Sequence, residues 1–499
     1  MFPSPVSYRA RGEYKAYLFF CTFAQILQTP MSKALTTTDI RLSSGWLDIS
    51  LTPWKMLRSS WESRKSYLQQ DGALEEAFRD LFYRQAVEVL TMQGVASVQE
   101  GAWERYRTAG YSPTALLEEE TRPSVAAAHA HVEALASALA EAYRLGSAKA
   151  PLSASALHSL VEKAFPPNES APQPLPSQAS LLDTLLKSLE DNLQTGVPAV
   201  SVAMWAHHTL TQIRPYTDGN ARAAFLLTNY ILGREGIAPL LLWREQRYAY
   251  YQALKAADQG TMSVWGALFL QGLQQATLSL LSWGYPHNHS LEEALKVYNR
   301  RHQYWRGQQN RDRSQTIMNN RYTIFDYVEE ILGQIAGELS RQGENSESTG
   351  VRALVAKAYP DSPYYYQFTS EVSSYAKAHR YVFNRSLPRG WFKLKFYLSA
   401  NKRCQLVLPL HHVGHDDATL AVGALLHYLE PLKYQRKRRM GRRSHQKEKT
   451  VYLFAPLALE RGPIAFNIAE DVAAIRPLLE NYIRETLQAV LVELANQIY

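Results

Sequence analysis

Fourteen residues, Gln212 to Phe225, read QIRPYTDGNARAAF and hold the densest chemistry in the chain. Asp218, Gly219 and Asn220 make a turn sequence, because glycine and asparagine both accept positive φ. Pro215 pushes Arg214 out of helical geometry and so ends the segment before it. Ala221 to Leu232 then reads as a helix. The expected result is a tight loop feeding a helix N-terminus, where unbonded amides and the positive end of the helix dipole favour phosphate. Asp218 offers a hard oxygen to a divalent cation beside phosphate oxygens. Arg222, in the first helical turn, can neutralise a further phosphate oxygen. A plain helix corner capped by Asp218 and Asn220 has the same local pattern, so the loop alone leaves both readings open.

Helices must position that loop. ALEEAFRDLFYRQAVEVLTMQG (73–94), RPSVAAAHAHVEALASALAEAYRLG (122–146, with Gly146 as its terminator) and SASALHSLVEKAF (153–165) have apolar residues at helical spacing. Five prolines between Pro166 and Pro176 then forbid helix and demand an extended loop. ASLLDTLLKSLEDNLQ and PAVSVAMWAHHTLTQI lead into the loop, and YAYYQALKAADQG and TMSVWGALFLQGLQQATLSLLSW complete an all-α unit near residue 282. Residues 288–345 are helical and charged, and GENSESTG (343–350) reads as a linker. Beyond it WFKLKFYLSA, RCQLVLPLHHV and TVYLFAPLAL read as strands, DDATLAVGALLHYLE as a helix capped by Asp416 or Asp417, and a long helix closes the chain.

The loop and its helices resemble the Fic/Doc (Fido) family. The family signature, His-Pro-Phe-x-Asp/Glu-Gly-Asn-Gly-Arg-x-x-Arg, lies between two helices of an all-α core. Arg214 to Phe225 fall in that register, with Tyr216 and Ala221 as mild changes. His207 and Ile213 also stand where the family often has a histidine and an isoleucine, and the resemblance covers about residues 111–282. It implies transfer of AMP, or another phosphate-containing group, from a nucleotide to a protein hydroxyl. Carried over, Asp218 is the metal ligand, and Gly219, Asn220, Ala221 and Arg222 hold the nucleotide phosphates. The implied cofactor is ATP or another nucleotide with Mg²⁺, and the implied partner is a protein target.

Two positions depart from the signature. Arg214 stands where the family places its catalytic histidine, the general base, and Phe225 stands where it places the last arginine, which contacts the γ-phosphate. Arginine keeps its proton in proteins, with a pKa above ~12. It cannot take the proton of an attacking hydroxyl, a contribution of about 10²–10⁴-fold in rate. The resulting expectation is a catalytically impaired nucleotide- or phosphate-binding or regulatory module. The enzyme alternative is an active protein adenylyltransferase with a non-standard base. His207 and His208 lie nearly two helical turns before Arg214 at ~1.5 Å per residue, so neither reaches its place. On this reading the double change Arg214→His, Phe225→Arg restores some transfer. TALLEE (114–119) also resembles the family's inhibitory helix, Ser/Thr-x-x-x-Glu-Gly/Asn, which would make Glu118 a vestigial inhibitory residue facing Phe225; an ordinary acidic first turn is the other reading.

Two further clusters stand outside the motif. His411, His412, His415, Asp416 and Asp417, with Cys404 nearby, could ligate a metal or simply fill a polar loop. The stretch 433–449, KYQRKRRMGRRSHQKEK, carries the whole net charge of +8, so the chain is neutral apart from one basic loop. That loop suits nucleic acid or an anionic surface and gives a third reading, a nucleic-acid-associated protein. With Tyr434 as its only aromatic, it offers little for base stacking.

The chain of 499 residues is too long for one ordinary domain. Its composition is that of a globular protein, 46% hydrophobic and 20% charged. We expect a multidomain protein: a helical N-terminal region (1–110), an all-α Fic-like core (111–282), a charged helical connector (283–345) and a C-terminal α+β domain (346–499). Two cysteines, Cys21 and Cys404, make no disulfide framework, which favours a reducing, cytoplasmic setting. No apolar run approaches the ~20 residues of a membrane span. Ala16–Leu27 resembles a weak signal peptide, but Glu13 and Gln25 count against it, and Met31 is an alternative start.

Overall fold

A computed structural model of the chain describes residues 35–95, 103, 106, 107, 109–111, 122–284, 311–344, 352–360, 362, 364–397, 403–414, 416–432, 449–454 and 462–498. Up to residue 282 it is helical: α1 (Ser44–Leu47), α2 (Thr52–Gln70), α3 (Leu74–Gln93), α4 (Arg122–Ser147), α5 (Ala154–Lys163), α6 (Ala179–Gln194), α7 (Ala199–Ile213), α8 (Asn220–Arg234), α9 (Arg247–Asp258) and α10 (Met262–Ser282). Local chemistry sets several of the ends. Helix α3 stops at Gly94, which takes the left-handed conformation that glycine adopts without strain. Helix α5 starts after Ser153, whose side chain accepts the Ala156 amide at 3.1 Å.

These helices share one hydrophobic core that runs from Ile40 to Leu280, across residue 110. Helix α8, which opens at the loop, is its centre and packs mainly on α4 and α7. Two glycines permit the closest crossing. A Cβ on Gly146 would sit 2.0 Å from the Tyr230 carbonyl oxygen, and one on Gly233 would sit 2.4 Å from that of Tyr143. Gly146 therefore does not terminate α4 as expected; it lies within the last turn, and close packing is the reason for it.

After α11 (Arg311–Glu344) come, among the described residues, seven strands and two helices: β1 (Arg352–Ala358), α12 (Thr369–Ala378), β2 (Gly390–Tyr397), β3 (Arg403–His412), β4 (Thr419–Val422), β5 (Leu425–Leu432), β6 (Lys449–Phe454), β7 (Ile464–Asn467) and α13 (Ile475–Ile498). They form one antiparallel sheet in the order β1-β2-β3-β4-β7, with β5 pairing both β3 and β6. Helices α11 and α13 cover one face, in a core that includes Phe325, Ile331, Phe392, Leu408 and Leu479. The expected helix over DDATLAVGALLHYLE is instead β4 and β5. Its apolar run is buried on both faces, a pattern that fits a core helix and a central strand equally, and pairing with β3 and β7 decides it. Asp416 does cap, but a turn: it accepts the Ala418 and Thr419 amides at 2.8 and 2.7 Å.

The opposite sheet face joins the helical core. Leu57 of α2 and Leu278 and Leu281 of α10 pack in one cluster with Tyr375, Tyr381, Val407 and Leu425. Ser60 and Ser59 hydrogen-bond Thr419 and Asn467, each at 2.9 Å. Buried Glu88 of α3 pairs with Arg84 at 2.8 Å and Arg244 at 3.1 Å, and Arg380 from the sheet region reaches it at 3.9 Å while stacking over Trp243. Among the described residues no helix is long and apolar enough to cross a membrane.

Candidate functional site

Helix α7 ends at Arg214, which takes a left-handed conformation (φ 50°, ψ 63°) and donates its amide to the Leu210 carbonyl at 3.1 Å. That conformation costs a non-glycine residue about 1–2 kcal/mol. The residue is exposed, and so are Thr217 and Asp218, while Pro215 and Tyr216 are buried. Tyr216 stacks on His158 with ring centroids 5.9 Å apart, and burial pushes its phenol well up.

The turn is held from within. The Asn220 side chain accepts the Tyr216 amide at 3.0 Å and donates to the Tyr216 carbonyl at 2.8 Å. Asp218 Oδ1 accepts the Gly219 amide at 2.6 Å. Gly219 has φ 73°, and no side chain caps the N-terminus of α8 behind it. Glycine is required there twice over, because a Cβ would also lie 2.7 Å from the Phe165 ring.

Arg222 is buried, only 3% exposed. Its Nε donates to Gln93 Oε1 at 3.1 Å, its Nη1 to the Ala164 carbonyl at 2.9 Å, and its guanidinium lies 4.0 Å over the Phe165 ring. Burial lowers its pKa to about 10, against the opposing fields of Asp218 and Glu169, so it remains a cation at neutral pH. Sequence reasoning missed Gln93, which comes from α3, and Phe165. Nor did it flag His131 and Glu169, paired at 2.9 Å in the same electrostatic neighbourhood. Burial lowers the His131 pKa, Glu169 raises it and Arg222 lowers it.

Phe225 points into the core, 1% exposed, edge-on to His207 with centroids 5.0 Å apart and stacked on Tyr250. His207 is fully buried. Its Nδ1 meets the Thr228 hydroxyl and its Nε2 the Tyr250 hydroxyl, both at 2.9 Å. Thr228 spends its proton on the Ala224 carbonyl, so Nδ1 donates and Nε2 accepts. Burial, with His208 adding to it, pushes the His207 pKa down to about 3. His208 donates to Asp258 at 2.9 Å and lies against Trp46. Both histidines are packed in the core, and neither reaches the loop.

The described members of the histidine and aspartate cluster separate. His411 and His412 alternate across β3, as neighbours on a strand must. His411 bonds Tyr381 at 2.7 Å on one face, and His412 accepts from Arg321 at 3.2 Å on the other. Among the described residues no group of three histidine, cysteine, aspartate or glutamate side chains could hold a metal. His415, Glu118 and residues 433–448 of the basic loop lie outside the described residues.

Residues 159–232 match the model of a family described as Fic/DOC family. The matched region runs from within α5 to near the end of α8 and includes the loop. Proteins named protein adenylyltransferase Fic are similar to part of this chain: that of Drosophila persimilis is 32% identical over 105 residues, covering 21% of this chain and 20% of its own. That of Drosophila virilis is 37% identical over 84 residues, 17% of each chain. The chain thus spans about a fifth of the length of the curated relatives it matches. A solved Fic-domain-containing signalling protein from Bacteroides thetaiotaomicron overlaps 46% of this chain and 97% of its own at 16% identity and a TM-score of 0.38.

Proposed function

We propose that this chain is a Fic-family binding or regulatory module that takes a nucleotide, or another phosphate-bearing ligand, at residues 214–222 and transfers AMP poorly or not at all. One observation carries the reading: an exposed arginine, Arg214, stands at the register position of the family's proton acceptor. With no base there, an attacking hydroxyl keeps its proton, and the loss is about 10²–10⁴-fold.

The remaining parts suit phosphate. The start of α8 has no side-chain cap, so its first amides face an incoming anion along the positive end of the helix. Arg214 adds a cation that can pair with phosphate in a fork. Asp218 is exposed, with one carboxylate oxygen on the Gly219 amide and the other available to a hard cation such as Mg²⁺. A bound Mg²⁺ would neutralise phosphate charge there. Gly219, Asn220 and Ala221 shape the backbone, and Arg222 supplies a fixed positive charge from beneath. The relatives' name, protein adenylyltransferase, supports ATP as the nucleotide and a protein as the partner. The C-terminal sheet region, firmly joined to α2 and α10, would be the sensing or output part.

Calorimetric titration with ATP and Mg²⁺ tests the reading. Binding weakened about ten-fold or more by Asp218→Ala is expected, a difference of about 1.4 kcal/mol. No heat from the parent chain at millimolar ATP removes it.

A further inference from the structure

Arg389, the residue before β2, is only 7% exposed, and its described partners are all neutral. Its Nη1 donates to the Arg385 carbonyl at 3.3 Å and its Nη2 to Thr369 Oγ1 at 3.2 Å. Its guanidinium lies 4.7 Å from the Tyr365 ring centre and 5.2 Å from that of Tyr366. Its Nε is buried and, among the described residues, has no hydrogen-bond partner. A buried cation held by neutral groups alone keeps its charge unbalanced. Thr369, which Nη2 touches, opens α12. That helix follows Phe368 in the left-handed conformation (φ 69°) and has no side-chain cap. The Thr369 amide reaches the Tyr366 carbonyl at 3.3 Å, which leaves the Ser370 and Glu371 amides to an outside acceptor. Exposed Arg385 donates from Nε and Nη2 to Ser373 Oγ at 3.2 and 2.7 Å. Positions 369 and 373 are neighbours on a helix surface, so the two arginines flank one face of the first turn. Glu371, two residues from Thr369, does not share that face. It takes the Ser370 hydroxyl at 2.7 Å, and its charge acts on His427.

We propose that the start of α12 is a second anion site, which takes the phosphate of a mononucleotide whose base lies on Tyr366. The free amides and the positive end of the helix meet the phosphate. Arg385 leaves a neutral serine hydroxyl for it, exchanging an ordinary hydrogen bond for a charge-assisted fork about twice as strong. Arg389 adds a fixed charge from beneath, and the phosphate supplies the counter-charge that this arginine lacks among its described partners. Tyr366 is 73% exposed and Tyr364 66%, so their rings are open to solvent, and any base can stack on such a face. The platform is fixed in advance. The Trp391 indole donates to the Tyr364 carbonyl at 3.1 Å, and the Arg389 amide donates to the Tyr365 hydroxyl at 3.0 Å. Little ordering is then left to oppose binding. This site lies in the sheet region and does not depend on the reading of residues 214–222. It gives the C-terminal region a ligand of its own to sense.

The test is amide hydrogen exchange on the full chain, titrated with AMP, with inorganic phosphate and with adenosine, all without Mg²⁺. Exchange at the Ser370 and Glu371 amides slowed about ten-fold by saturating AMP is expected. Arg385→Gln and Tyr366→Ala change exposed side chains and should keep the fold. The first should weaken AMP and phosphate alike, about ten-fold. The second should weaken AMP about five-fold or more and leave phosphate unchanged. No slowing at Ser370 and Glu371 with millimolar AMP overturns the site. Phosphate bound as tightly as AMP, with Tyr366→Ala without effect, overturns the nucleotide. Adenosine bound as tightly as AMP overturns the anion. Slowing confined to Gly219 and Asn220 overturns this site and leaves the reading of the loop standing, so the two failures are distinct.

Discussion

Arg214 and Phe225 fail the family signature in different ways. Arg214 is exposed, so its replacement is a matter of chemistry alone. Arg214→His should leave stability within about 0.5 kcal/mol, as surface changes do, and thermal unfolding checks it. Phe225 is a core residue against His207 and Tyr250. Phe225→Arg would bury an unpaired guanidinium there, a change expected to cost about 3–5 kcal/mol and to show as a lower denaturant midpoint. The expectation that Arg214→His, Phe225→Arg restores transfer is therefore replaced by a sharper one. The double variant should be destabilised by the second change, and only the single Arg214→His keeps the fold in which activity can be sought. Unchanged stability on Phe225→Arg would mean that the side chain escapes the core.

Helix α8 owes its place to the glycine crossing with α4, and this feature separates two opposing effects. Gly233→Ala improves helix propensity by about 1 kcal/mol. It also drives a methyl group to 2.4 Å from a backbone carbonyl that cannot rotate away. Overpacking of that kind costs about 1–3 kcal/mol, so we expect net destabilisation by urea unfolding; a stabilised variant would contradict the crossing. The sequence made the helices legible because their periodicity is strong: α6 spans the same residues as the segment read, Ala179–Gln194, and α3 and α9 end within a residue or two of it. The loop was legible because Pro215, Gly219 and Asn220 act locally. Gly146 and the β4–β5 run were misread because their roles are tertiary. A close helix crossing and strand pairing leave no mark in a window of neighbours. The contacts of Phe165 and Pro172 with Gly219 and the Gln93–Arg222 bond were hidden for the same reason, since they join residues far apart in the chain.

At the scale of the whole molecule, buried histidines set the response to acid. Burial pushes His207 and His411 down to about 3 and His379 to about 4, and holds His412 well below its ordinary range. All four are neutral in the fold and become protonated in the unfolded chain below about pH 6.5. The unfolded state then binds more protons, so stability is fully present above pH 6.5 and is lost as pH falls toward 4. Each histidine contributes a slope of about 1.4 kcal/mol per pH unit, and the four together approach four protons taken up on unfolding near pH 5. Denaturant midpoints at pH 7, 6 and 5 check this, and an uptake below one proton would contradict neutral burial. Because α2, α10 and the sheet share one apolar cluster, the loss should appear in both halves of the molecule together.

The central claim, a phosphate loop retained without its proton acceptor, is tested most directly by incubating the purified chain and its Arg214→His variant with Mg²⁺ and ATP labelled at the α-phosphate. No label on protein is expected from the parent, and the variant is expected to give label that disappears when Asp218→Ala is added. Label transferred by the parent chain, and abolished by Asp218→Ala, would contradict it.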